Sequence, residues 1–382
     1  MEAMNRTTKL RLASSATSSA LIVLGLGCCA TLATTQAQAT DTPAVTAVTQ
    51  RDGQHDFDFI FGRWKIHLKR RVHSSTGPDT WSEFDGYGSY RKVWDGRANL
   101  NDFEADSPTG HVQGLTLRTY NPHTQQWSLY WANSQDGTLG VPQVGQFRDG
   151  QGEFYAQDTV DGKAVFIRYV WSKITPKSVH FEQAFSADGG RSWDVNWISD
   201  MVRVSDESDG GAGPVDARPT TAAAASTSRG AEHDFDPLLG SWNYRLKRRT
   251  NPLTGSANWV DVTGTGVCYP LWNKTAQLDT FLADGPKGRI EGLTLRLYNP
   301  KSHQWRLYWA NSKDGVVAVP QIGEFSKGHG DFYAQDTLGD KSILVRYDWT
   351  GLASQSPHFE QSFSEDGGKT WEVNWITDQT RQ

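Results

Sequence analysis

The sequence predicts an all-β fold: two tandem antiparallel up-and-down β-barrels of about eight to ten strands each, with a two-sheet sandwich as the other way of closing the same meander. Three observations carry this expectation. The 382-residue chain aligns with itself at a shift of 178, so that residues 55–200 fall on 233–378 without a gap and about half the positions agree. Within each copy the apolar residues alternate with period two, the spacing of a strand and not of a helix. Turn-forming pairs such as Asp136-Gly137, Asp149-Gly150 and Asp161-Gly162 separate the runs at spacings too short for parallel crossovers.

Read in order, the chain begins with a targeting segment. Arg6, Lys9 and Arg11 precede an apolar run from Ala20 to Ala33, and Ala37-Gln38-Ala39 offers a small-residue cleavage site. Residues 1–39 are therefore expected to be a signal peptide, with 40–54 an N-terminal segment of a periplasmic or secreted protein. Loss of the leader removes three basic groups and one acidic group from a net charge of −5, leaving −7. A mildly acidic surface argues against nucleic acid and anionic lipid as partners, and no integral membrane association is expected after cleavage. Two of the three cysteines lie in the leader, so an internal disulfide is impossible and Cys268 stands alone.

The first repeat, 55–202, opens on His55-Asp56-Phe57-Asp58, with a single turn of helix expected over Phe57 to Gly62. Strands follow at Gly114 to Tyr120, Trp127 to Asn133, Gly152 to Thr159, Val165 to Trp171, His180 to Ser186 and Trp193 to Ile198. Val165, Ile167, Tyr169 and Trp171 stay apolar or aromatic in the second copy and mark the inward face. By the same argument Trp193, Val195 and Trp197 point inward and Asp194 and Asn196 outward. Residues 203–231, rich in Gly, Pro, Ser, Thr and Ala, make a flexible linker, and 232–382 is the second repeat. All 16 tryptophans fall into eight pairs separated by 178, from Trp64 and Trp242 to Trp197 and Trp375, which reads them chiefly as shared core.

Two constellations bear on chemistry. Ser186-Ala-Asp-Gly-Gly-Arg-Ser-Trp193 and Ser364-Glu-Asp-Gly-Gly-Lys-Thr-Trp371 fit the Asp-box pattern, in which the Asp caps a hairpin turn. Asn133, Asp158 and Gln183 fall on inward faces near Trp131, and Asn311, Asp336 and Gln361 repeat them near Trp309. These eight residues form the candidate ligand pocket, because buried polar groups must be paired or serve a ligand; the other reading is that they satisfy turns and strand ends. Arg118, Arg168, Arg296 and Arg346 lie mid-strand and could clamp an acidic ligand, with a surface pair to Glu182 as the alternative for Arg168. His180 with Glu182 lacks a third ligand at metal-binding spacing, so no metal is expected. With no nucleophile elbow, phosphate loop or Cys pair, no cofactor is expected and the catalytic residues are unknown.

The H-D-F-D-x-x-x-G-x-W opening, the central L-Y-W-A-N-S and the closing F-E-Q-x-F-S-x-D-G-G-x-[ST]-W-x-x-N-W-I resemble an uncharacterised bacterial domain family of calycin, or lipocalin-like, barrels. The resemblance covers both repeats. It implies a small barrel with an internal cavity, present here as a tandem duplication, and implies no reaction. The expected function is binding of a small apolar or aromatic molecule in a barrel cavity. Tandem duplication as in double-lipocalin hydratases and lyases keeps open an enzyme acting on a small aromatic or carbohydrate compound through Asp158 or Asp336. A structural or interaction module with filled barrels, whose surfaces bind a partner, is the third reading; packing of the two repeats as a pseudo-dimer is compatible with all three.

Overall fold

The computed structural model describes residues 52–72, 78–160, 162–206, 230–286, 288–354 and 356–382. Residues 1–39, expected as a signal peptide, and most of the 40–54 segment and of the linker lie outside the described residues. Ten strands follow one another in the first copy: β1 Gly62–Val72, β2 Thr80–Val93, β3 Ala98–Ser107, β4 Gly110–Asn121, β5 Gln126–Asn133, β6 Gln143–Arg148, β7 Gln151–Val160, β8 Lys163–Ser172, β9 Ser178–Ser186 and β10 Asp194–Ser205. The second copy repeats them as β11 Gly240–Arg249, β12 Trp259–Leu271, β13 Ala276–Gly285, β14 Gly288–Asn299, β15 Gln304–Asn311, β16 Gln321–Ser326, β17 His329–Leu338, β18 Lys341–Thr350, β19 His358–Ser364 and β20 Glu372–Arg381. Each set is a closed antiparallel barrel in sequence order, sealed by β1 on β10 and by β11 on β20. Closure leaves no unpaired strand edge, and it decides for barrels against sandwiches.

Alternation places the core as expected along β8, where Val165, Ile167 and Trp171 are buried. Asp149 and Gly150, at φ +52° and +77°, make the tight β6–β7 hairpin, and Lys327 with Gly328 repeats it at +52° and +80°. One expected alternation fails at the start of β10. A bulge between Val195 and Trp197 turns Asn196 inward to accept a bond from Gln183, while Trp193 leaves the core and carries the Arg168 guanidinium 4.6 Å from its ring. Arg168 thus stacks on an indole where an ion pair with Glu182 was the alternative expectation.

One end of each barrel is plugged by the H-D-F-D segment. Asp58–Ile60 is a single 3-10 turn; it drops Phe57, fully buried, edge-on against Trp127 and Phe147 at 5.0 and 4.9 Å. Trp64 donates to the Ile60 carbonyl at 2.6 Å and Trp127 to that of Gly53 at 2.9 Å, so two core indoles satisfy their N–H groups on the plug. Phe235, Trp242 and Trp305 build the second plug in the same way.

The two barrels pack face to face through the outer sides of β3, β4 and β5 and of β13, β14 and β15. Leu100, Leu115 and Leu117 share one apolar core with Leu278, Leu293 and Leu295. The segment after β5, expected as a tight hairpin at Asp136-Gly137, instead crosses to the other barrel. Leu139 N–H donates to the Tyr308 hydroxyl at 3.1 Å. A Cβ at Gly137 would lie 2.0 Å from the Tyr298 carbonyl oxygen, and at Gly315 one would lie 2.1 Å from that of Tyr120. These reciprocal contacts are those of an isologous dimer built within one chain.

Candidate functional site

The second barrel holds a cavity of about 1000 Å³, open at the end opposite the plug. Its wall is apolar, with Val260, Val262, Phe281, Ile290, Phe359 and the Trp309–Trp375 pair, whose rings meet edge-on at 6.1 Å. Trp309 packs against Gly292, where a Cβ would come 2.1 Å from the indole, so β14 gives up a side chain to seat the ring.

Toward the plug the cavity ends on a polar cluster drawn from three strands. Arg296 on β14 is fully buried and donates through Nη2 to Asp279 Oδ2 of β13 at 2.8 Å. Tyr244 of β11 donates its hydroxyl to Asp279 Oδ1 at 3.0 Å. Burial alone would weaken the Arg296 charge, but Asp279, with Cys268 and Tyr244, outweighs it and the pKa is raised. Burial, with the Asp279 charge, drives the Tyr244 phenol well above its usual value. Burial also pushes the nearby Cys268 thiol up to about 12, which makes it an inert core group. Both Asp279 oxygens are engaged, so the cluster is a neutral, fixed dipolar floor and supplies no free base.

The first barrel solves the same place differently. Asn101 stands where the second has Asp279, Ile66 for Tyr244, Tyr90 for Cys268 and Phe84 for Val262. Arg118, 2% exposed, has no carboxylate beside it among the described residues. It donates to Asn99 at 3.0 Å and lies 5.2, 5.3 and 5.2 Å from the rings of Phe57, Tyr90 and Trp171. Burial lowers its pKa to about 10, and the ring faces supply the negative potential.

The structure divides the eight expected pocket residues. Trp309 and Gln361 line the second cavity, Gln361 donating to Asn374 at 2.6 Å. Trp131 and Gln183 hold the matching places in the first barrel, Trp131 over Gly114 and Gln183 bonded to Asn196 at 2.7 Å. Asn311 and Asp336 are not on the cavity wall. Asn311 turns its amide into the loop after β15, accepting from Lys313 N–H at 3.0 Å, and Asn133 accepts from Gln135 N–H at 2.9 Å. These side chains are absorbed by turns, as Asx residues at strand ends commonly are. Asp336 and Asp158 share the inward parity of Phe332 and Phe154 but lie near the strand ends, each accepting from its own next amide at 2.7 Å.

Sequence reasoning missed Asp279, Tyr244, Asn374 and Trp375 as wall and floor. The signal was available in the positions where the copies differ, above all Asn101 against Asp279. His180 lies on the outer surface, its ring nitrogens 2.6 Å from Asp200 and 2.9 Å from Glu182. His329, Asp331 and Asp348 also gather on an outer face, His329 pairing with Asp348 at 2.9 Å.

No family model and no curated protein matches this sequence. Among solved structures, an S-type phycobiliprotein lyase from Guillardia theta aligns at 11% identity and a TM-score of 0.31, over 41% of this chain and 96% of that one. A DUF3598-family protein of unknown function from Nostoc punctiforme aligns at 10% identity and a TM-score of 0.23, over 87% of this chain and 100% of that one. A transferrin-binding protein B mutant from Haemophilus parasuis aligns at 9% and 0.16, over 84% of this chain and 75% of that one. Likenesses of this strength do not bear on what the chain does.

Proposed function

We propose that this is an exported, calycin-like binding protein whose second barrel holds a small molecule with an apolar or aromatic body. The observation that carries the reading is the cavity of about 1000 Å³, walled by Trp309, Trp375 and Phe281 and floored by the Arg296–Asp279–Tyr244 cluster. That volume lies at the upper end of the range for small-molecule sites, and a mostly apolar wall with a few fixed polar groups is the usual recipe for binding with orientation. The enzymatic reading through Asp158 or Asp336 draws no comparable support, since Asp336 is not on the cavity wall and each carboxylate lies near a strand end, where one oxygen accepts from the next residue's amide.

The first barrel supplies the test. Val262→Phe places in the second barrel the side chain that Phe84 already carries at the matching position, where its ring lies 6.4 Å from Trp197. The variant is expected to fold, with its urea midpoint unchanged or raised, and to lose uptake of an aromatic probe such as N-phenyl-1-naphthylamine. A folded variant that binds the probe as the parent does would remove the cavity as the site. Export through residues 1–39 is checked by the mature amino terminus, expected at Thr40.

A further inference from the structure

The mouth of the second cavity carries more positive charge than its neighbours neutralise. Arg248, Arg249, Lys313 and Lys341 rim it, against Asp340. Arg249 is spoken for by Glu372 at 3.6 Å and by the Ser256 carbonyl at 2.6 Å, and Lys341 by Glu365 at 2.6 Å. Arg248 and Lys313 make no ion pair among the described residues. Arg248 shares the inward parity of Tyr244 and Leu246 on β11, and its guanidinium lies 5.4 Å over the Trp375 ring. Trp375 in turn meets Trp309 in the wall. A cation thus stands where the aromatic wall gives way to water, with its face on an indole and its N–H fork unpaired among the described residues.

The first barrel separates what belongs to the fold from what belongs to the site. Arg70 lies over Trp197 at 6.0 Å, so the stack itself is common to both copies. Beneath it, however, Phe84 takes the place that Val262 leaves open, and Gln135 stands where the second copy has Lys313. Open cavity and surplus charge occur together in the second barrel.

Resting on the proposed binding role of that cavity, we infer that its ligand is an anionic amphiphile: an apolar or aromatic body inside the barrel and a carboxylate, sulfonate or phosphate end held at the mouth by Arg248, with Lys313 adding to the field. The floor does not compete for the anion, because Arg296 is already matched by Asp279.

Two probes with the same ring system test this on the mature protein. 1-Anilinonaphthalene-8-sulfonate carries one negative charge, and N-phenyl-1-naphthylamine carries none. The sulfonate is expected to bind at least about tenfold more tightly at low ionic strength, as one charge-assisted contact allows, and the advantage should shrink with added salt. Arg248→Gln should abolish most of that preference, and Arg70→Gln should leave it in place. Equal affinities for the two probes, or an undiminished preference in Arg248→Gln, would overturn the inference while leaving the cavity reading intact. Loss of preference in Arg70→Gln instead would move the site to the first barrel and overturn it as well. Failure of both probes to bind would bring down the cavity reading and this inference together.

Discussion

Asp279 shows how much one atom's identity decides. An amide at this place, as in Asn101, leaves the arginine charge to aromatic faces; a carboxylate pairs it and frees the surrounding positions to shrink. Cys268 is small where Tyr90 is large, although Tyr244 is large where Ile66 is small, and Val262, small where Phe84 is large, lies on the cavity wall. Asp279→Asn should therefore strand a buried cation in a barrel that has Phe235 and Trp349 near it, at 5.0 and 5.5 Å, but no third ring. The expected cost is about 3 kcal/mol by urea denaturation. Adding Cys268→Tyr rebuilds the first barrel's arrangement and should recover at least half of it; a double variant no more stable than the single one would show that the rings are not what holds Arg118. None of this was legible residue by residue. Trp309 and Gln361 could be placed by parity alone, because nothing local claims their side chains. Asn311 obeys the same parity but is claimed by its own turn, and turn geometry competes with the pocket at a range sequence periodicity does not resolve.

Strands were the legible level, since a period of two is a property of the chain and survives translation into any barrel. What escaped was the place where the period slips. The bulge in β10 shifts Asn196 inward, and β20 repeats the irregularity opposite Gln361 and Ser362, turning Asn374 into the cavity wall. Just before each bulge lies the Asp-box turn. Asp188 accepts from the Ser192 amide at 3.0 Å, the Ser192 hydroxyl at 2.7 Å and the Ser186 hydroxyl at 2.8 Å, bonds that hold its pKa down to about 2, as the matching bonds do for Asp366. A carboxylate depressed in the folded state contributes stability in full above its unfolded value near 4 and loses it as pH falls toward 2. The β9–β10 and β19–β20 turns are thus expected to loosen between about pH 4 and pH 2. At neutral pH, Asp188→Ala should speed amide exchange at Gly190, Arg191 and Ser192 and leave β7 unchanged. Exchange that rises evenly around the barrel would mean the turn is no independent unit.

At the scale of the whole molecule, duplication explains the strand whose burial does not alternate. β4 is buried on both faces: Arg118 and Tyr120 look into their own barrel, whereas Leu115 and Leu117 look out into the other one. A single barrel with this strand would expose its leucines and hide its arginine, and only the second copy makes the arrangement sensible. The same docking has a cost at Asp102, on the outer face of β3 between Ser89 and Leu115 in register. Its Oδ1 is sealed from water without a hydrogen bond among the described residues, and burial, reinforced by the charge of Glu104, lifts its pKa to about 7 against the partial relief of Arg91. A carboxyl whose folded pKa is raised binds its proton more tightly in the native state, so the folded molecule loses stability as pH rises from about 4 through about 7. The matching residue in the second copy is Thr280, which donates its hydroxyl to the Val267 carbonyl at 3.1 Å and avoids the penalty. Asp102→Thr is therefore expected to stabilise the protein by about 3 kcal/mol at pH 8 and by little at pH 4, read from urea midpoints at the two pH values. Were the parent's loss of stability between pH 4 and pH 8 to persist undiminished in Asp102→Thr, the charge at the inter-barrel face would not be its source.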